Sequence, residues 1–206
     1  MARNPVSASA LAVAWTLLLL IAPLNPAFAQ FDEHITIEDP ADLTPEQAEQ
    51  LYDGLRETLR KDYRLAAYGK ARDYQSWRRY NTTPYLSATH GNRYVNNYGN
   101  WAARGYEALG PGKMLAAGTV LAKDAFTVMK DGTALAAPLF IMEKLAAGAS
   151  PDTGDWRYVM VLPDGSVFGD SHGAAAERMA FCHECHAAVA DTDYVFYVPE
   201  EVRADE

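Results

Sequence analysis

The two cysteines of this 206-residue chain, Cys182 and Cys185, stand one helical turn apart, and His186 follows at once. Side chains at i and i+3 of a helix share a face. A fold that uses Cys182-His183-Glu184-Cys185-His186 must therefore offer a cavity to two sulfurs and an imidazole together. C-x-x-C-H is the attachment pattern of haem c: the thiols reach two vinyl groups on one porphyrin edge, and the adjoining imidazole swings under the iron. Cys182 and Cys185 are the candidate tethers of one covalent haem, and His186 is the candidate iron ligand. Other chemistry can use the same residues. A redox-active thiol pair is one option, although the βαβ context that accompanies it is missing. Structural zinc normally takes a second ligand pair many residues away, and here both histidines abut the cysteines. A passive local disulfide is the third. His183, inside the motif, reads as facing solvent or the haem propionates.

Residues 1–29 read as a targeting segment. Arg3 is the only charge before the apolar run 11–22, Pro23 and Pro26 follow, and Ala27-Phe28-Ala29 has the small-x-small form of a cleavage site. The run of 12 residues is shorter than the roughly 20 needed to span a bilayer as a helix. Cleavage near Ala29 would leave Gln30 as the mature terminus, with no stable membrane span, and place the protein in the periplasm. Export suits haem c, which is attached outside the cytoplasm. The formal charge is −9, from 18 basic and 27 acidic residues, and it becomes −10 when Arg3 is removed. Such a chain lacks the basic footprint of a nucleic-acid binder.

Residues 30–43 are acidic and Pro-broken, an extended lead-in to one domain over 44–206. Thr44-Pro45-Glu46 starts a helix, and Ala48, Leu51, Leu55 and Leu59 continue its apolar stripe over 45–66. That helix could pack on its own domain or on a second subunit. Residues 70–110 are aromatic and turn-rich, with no confident helix or strand interior at 96–100 and a short helix near 100–107. Strands are expected at 118–124, 126–129, 137–143 and 157–162, separated by turn chemistry. A helix should cover 174–188, and 194–198 should form a final strand. Short connections favour antiparallel pairing. The expected class is α+β: a curved antiparallel sheet, an N-terminal helix and a C-terminal haem-binding helix.

A sixth iron ligand could come from Met114, Met129, Met142, Met160, Met179, His34, His90 or His172. Methionines in apolar segments more often pack the core, and His90, in Thr89-His90-Gly91-Asn92, reads as a turn residue.

Several stretches together resemble the cytochrome P-460 domain family, which includes the beta-type cytochromes c-prime. They are 93–97 (RYVNN), 118–123 (GTVLAK), 154–158 (GDWRY), 182–186 (CHECH) and 192–196 (TDYVF). The resemblance implies an antiparallel sheet with helices, commonly a homodimer, around a five-coordinate haem c. Cytochromes P-460 carry a lysine cross-linked to the porphyrin and oxidise hydroxylamine; the beta-type cytochromes c-prime lack the cross-link and bind nitric oxide. Lys123 falls at the cross-linking position, although an edge-strand lysine with its head in water is the alternative. Phe140 stands where the hydroxylamine-oxidising members carry a distal glutamate, and a phenylalanine cap favours gas binding. Glu143 is close in sequence, but strand alternation puts it opposite Phe140 and Met142. Three functions follow: hydroxylamine or nitric oxide oxidoreduction with an external electron-transfer partner, gas binding without turnover, and a six-coordinate electron carrier.

Overall fold

A computed structural model describes Met1 and residues 36–205. The targeting segment and His34 lie outside those residues. No described helix is long and apolar enough to cross a membrane.

Helix α1 spans Pro45–Tyr63. Thr44 caps it: its hydroxyl accepts from the Gln47 N–H, and the Gln47 side-chain Oε1 accepts from the Thr44 N–H at 2.9 Å. This reciprocal pair satisfies two N–H groups that a helix start leaves unpaired. The helix ends three residues before the expected limit, where 64–66 tighten into i→i+3 bonds such as Ala66 N–H to the Tyr63 carbonyl.

The strands are β1 (Arg78–Arg79), β2 (Tyr85–Ser87), β3 (Arg93–Gly99), β4 (Val120–Val128), β5 (Ala134–Ala136), β6 (Leu139–Lys144), β7 (Trp156–Val161) and β8 (Val167–Asp170). They form one sheet in the order β1-β3-β4-β6-β7-β8, with β2 also on β3 and β5 also on β4. Every pairing is antiparallel, and the class is α+β as expected. After β8 a tight turn at Ala176–Met179 leads into helix α2 (Ala180–His186), followed by further tight turns over Ala187–Thr192.

Both faces of the sheet are covered, which explains why the strands read as near-continuous apolar runs. Val120, Ala122, Phe126, Leu139, Ile141, Val159 and Val161 pack towards Tyr52, Leu59 and Tyr63 of α1. That helix therefore covers the sheet of its own chain. Leu121, Phe140, Met142, Tyr158 and Met160 pack on the other side with Met179, Phe181, Val195 and Val198. The side-chain period of two makes this division.

Four expectations need correction. Residues 96–99 do lie in a strand interior: β3 is buried along its whole length and pairs with β4 through Asn96↔Asp124 and Asn97↔Lys123. Its asparagines are tolerated because each is bonded. Asn96 donates to Asp124 at 3.0 Å and accepts from Asn81 at 2.9 Å; Asn97 donates to Tyr106 Oη at 3.0 Å and accepts from Tyr85 Oη at 2.9 Å. The two expected segments at 118–124 and 126–129 are the single strand β4. The expected final strand at 194–198 has no ladder partner among the described residues, because side chains occupy its carbonyls: Tyr106 Oη donates to the Phe196 carbonyl at 2.8 Å, and a His186 ring nitrogen lies at hydrogen-bond distance from the Tyr194 carbonyl. The short helix near 100–107 is a tight turn at Trp101–Ala103.

Asp124 is fully buried on the α1 side of β4 and accepts from Tyr52 and Tyr74, each at 2.8 Å, as well as from Asn96. Burial raises its pKa against the pull of these donors. Leaving a buried donor unpaired costs about 1–3 kcal/mol, so Asp124→Ala, which takes the shared acceptor from three donors, should destabilise by roughly 3–5 kcal/mol. Asp124→Asn retains an acceptor oxygen and should cost less; urea-unfolding midpoints of the two variants check the order.

Candidate functional site

One cavity of about 790 Å³, counting its open mouth, lies between the sheet and the chain from α2 to Phe196. Leu121, Lys123, Phe140, Met142 and Tyr158 line it from the sheet, Phe181, Cys182, Cys185 and His186 from α2, and Val195 and Phe196 from the segment beyond. Thr89 and His90 close another part of the rim.

Both cysteines are free; Cys182 is partly buried and Cys185 is exposed. Burial pushes the Cys182 thiol up to about 12, with Cys185 adding to the shift. Among the described residues, no three His, Cys, Asp or Glu side chains converge as a metal cage, and the antiparallel sheet supplies no βαβ unit around the thiols.

His186 is held in one orientation. Its Nδ1 lies 2.7 Å from the Tyr194 carbonyl, which can only accept, so Nδ1 carries the proton and Nε2 keeps its lone pair for a metal. Burial lowers the pKa of this imidazole to about 4, against the carbonyl, which raises it, and with Lys123, which lowers it further. Neutral imidazole is the ligating form. The ring also rests edge-on against Phe196, with centroids 5.4 Å apart, and tilts on Tyr158 at 5.6 Å.

The carbonyl that orients His186 is itself held in place. Asp193 and Tyr194 have φ of 57° and 62°, a region that costs non-glycine residues of order 1–3 kcal/mol each. Buried Asp193 forms an ion pair with buried Lys144, accepts from Leu115 N–H at 2.8 Å, and gives its carbonyl to Trp156 Nε1–H at 2.7 Å. Lys144 also donates to the Gly154 carbonyl at 2.7 Å, and the Tyr194 ring packs where a Cβ on Gly154 would sit. This network lay beyond sequence reasoning, since Lys144 and Asp193 are 49 residues apart.

Lys123 does not sit on an edge strand. β4 is internal, and Lys123 lies between Asn97 on β3 and Phe140 on β6. Its head enters the cavity, where burial brings the ammonium down to about 8 while Cys185 pulls it up. Phe140 and Met142 share this cavity face. Glu143 does not line the cavity. It accepts from Tyr68 at 2.7 Å, pairs with Lys70, and lies 3.6 Å from Arg157. Burial works to raise its pKa, but Lys70 and Tyr68 hold it below the usual glutamate value.

Of the methionines and histidines considered as a sixth ligand, only Met142 and His90 line the cavity among the described residues. Met160 and Met179 pack in the core, while Met114 and Met129 are exposed. His172 bonds Ser171 away from the cavity. His183 is half-buried and stacks on Tyr194 rather than facing solvent.

A cavity flanked by paired thiols and an Nδ1-anchored imidazole has the donor chemistry of a haem protein. The fit has independent support: Tyr158 lines this cavity, and its Oη is buried without a hydrogen-bond partner among the described residues, as an enclosed site for a partly polar group would leave it. The chain belongs to the Cytochrome P460 family, matching it over residues 71–197, and is a haem-binding protein. No curated protein matches it.

Breaking a buried ion pair by removing one partner costs about 3–5 kcal/mol. Lys144→Ala should destabilise the fold by that amount, measured by thermal or urea unfolding. Glu143→Gln, outside the cavity, should leave the haem absorption spectrum unchanged.

Proposed function

We propose that this is an exported, periplasmic protein, processed near Ala29, whose single haem c has an open distal site that binds or oxidises small nitrogen species such as nitric oxide and hydroxylamine. The observation that carries the reading is the joint placement of Cys182, Cys185 and His186 on one cavity, with His186 Nδ1 committed to the Tyr194 carbonyl. Cys182 and Cys185 are the proposed covalent tethers, and His186 is the proposed axial ligand. Haem iron supplies a site for a diatomic or amine ligand and a one-electron couple.

The chain's own residues do the rest. Phe140, with Leu121 and Met142 in the same lining, keeps the distal space apolar and restricts it to small ligands. Lys123 is the proposed site of a bond to the porphyrin edge. Burial makes its neutral, nucleophilic amine more accessible near neutral pH. Among the described residues the cavity lining includes no carboxylate, which favours ligand binding over a glutamate-assisted oxidation. Electrons would leave through the exposed side at Cys185 and Phe196 to an external partner, and a homodimer is the expected assembly. Met142 in the lining supports one rival reading, a six-coordinate electron carrier.

Expression in a host that matures c-type cytochromes should give coloured protein whose mass equals the chain from Gln30 plus one haem. Cys182→Ala with Cys185→Ala should abolish covalent haem. If Lys123 is bonded, the reduced Soret band is red-shifted and returns to shorter wavelength in Lys123→Arg. A low-spin spectrum with a methionine-to-iron band that vanishes in Met142→Leu would establish the electron carrier instead. Consumption of hydroxylamine with an electron acceptor separates turnover from binding.

A further inference from the structure

His90 occupies a built position rather than a loose turn. It ends the tight turn Ala88–His90 between β2 and β3, and Gly91 follows at φ 75°, closing the turn with its N–H on the Ala88 carbonyl. Arg93 Nη1–H donates to the His90 carbonyl at 2.9 Å. The imidazole Nδ1 lies 2.9 Å from the hydroxyl of buried Ser87 and 3.3 Å from that of Thr89. Its ring stands edge-on to Phe140, with centroids 4.9 Å apart and planes at 68°.

His90 and His186 line the same cavity but contact different parts of it. His186 packs on Tyr158 and Phe196, at the α2 end. His90 packs on Phe140, the cross-strand neighbour of Lys123. Of the other polar side chains in the lining, Asn97 is bonded to Tyr85 and Tyr106, Tyr158 packs at the His186 end, and Lys123 is the proposed site of the porphyrin bond; Glu143 is outside. When the Ser87 hydroxyl donates to Nδ1, Nε2 carries the proton and can donate to an oxygen of a nitrogen oxide or of hydroxylamine.

We propose that His90, fixed by Ser87 and braced on Phe140, hydrogen-bonds the small ligand held on the iron, and so supplies the polar distal contact that Glu143 cannot. The inference rests on the haem reading above and deepens it: the preferred ligands are those with an oxygen one bond beyond the iron-bound atom.

Carbon monoxide bound to the reduced, haem-loaded protein is the probe. A donor on its oxygen draws electron density outwards and lowers the C–O stretching frequency. His90→Leu should raise that frequency and speed ligand dissociation roughly three- to tenfold, the worth of one hydrogen bond. His90→Gln, which keeps a donor, should recover part of the effect, and Ser87→Ala should shift the frequency in the same direction as His90→Leu. Unchanged frequency and rate in both His90→Leu and Ser87→Ala overturn the proposal. So does a low-spin resting spectrum that turns high-spin in His90→Leu, because His90 would then be an iron ligand. Haem content, read from absorption before any gas is added, tests the parent reading separately.

Discussion

Two adjacent residues of β4, Lys123 and Asp124, divide the molecule, because neighbouring side chains on a strand point to opposite faces. Asp124 turns towards α1, where Tyr52, Tyr74 and Asn96 take up its oxygens. Lys123 turns into the cavity, beside the thiols and His186. A one-residue slip of β4 would put a carboxylate in the cavity and an ammonium among the tyrosines. Register is therefore specified from both sides of the sheet, and the site inherits that definition. With β3 on one flank and β6 on the other, the strand cannot move without breaking two ladders.

The far wall of the cavity is held differently. α2 is only seven residues long, and the segment after it makes no ladder among the described residues. Its stability comes from Asp193, where an ion pair, a backbone N–H and an indole converge. The left-handed backbone at 193 and 194 is retained because this network over-determines it. What it delivers is the Tyr194 carbonyl, aimed at His186 Nδ1. Such an outer partner fixes tautomer and ring orientation and increases ligand basicity.

The parts legible from sequence were local. Thr44-Pro45 announces α1, alternation separates Phe140 from Glu143, and the spacing of Cys182, Cys185 and His186 implies a shared face, since i and i+3 are fixed by helix geometry alone. Buried polar residues were not legible. Asn96 and Asn97 have turn chemistry as isolated residues, yet they lie in an internal strand because Asp124, Asn81, Tyr85 and Tyr106 complete their hydrogen bonds. Tyr194 to Val198 have strand propensity, yet their carbonyls serve side chains from α2 and from residue 106.

The sequence by itself determined the α+β class, the helix that begins the domain and the motif that ends it, because periodicity and capping act over a few residues. Only the tertiary structure decided that Lys123 enters the cavity, that Glu143 is committed to Lys70 and Tyr68, and that a residue with turn chemistry, His90, lines the site. Those outcomes depend on which side chains from distant strands meet, and neither propensity nor spacing carries that information.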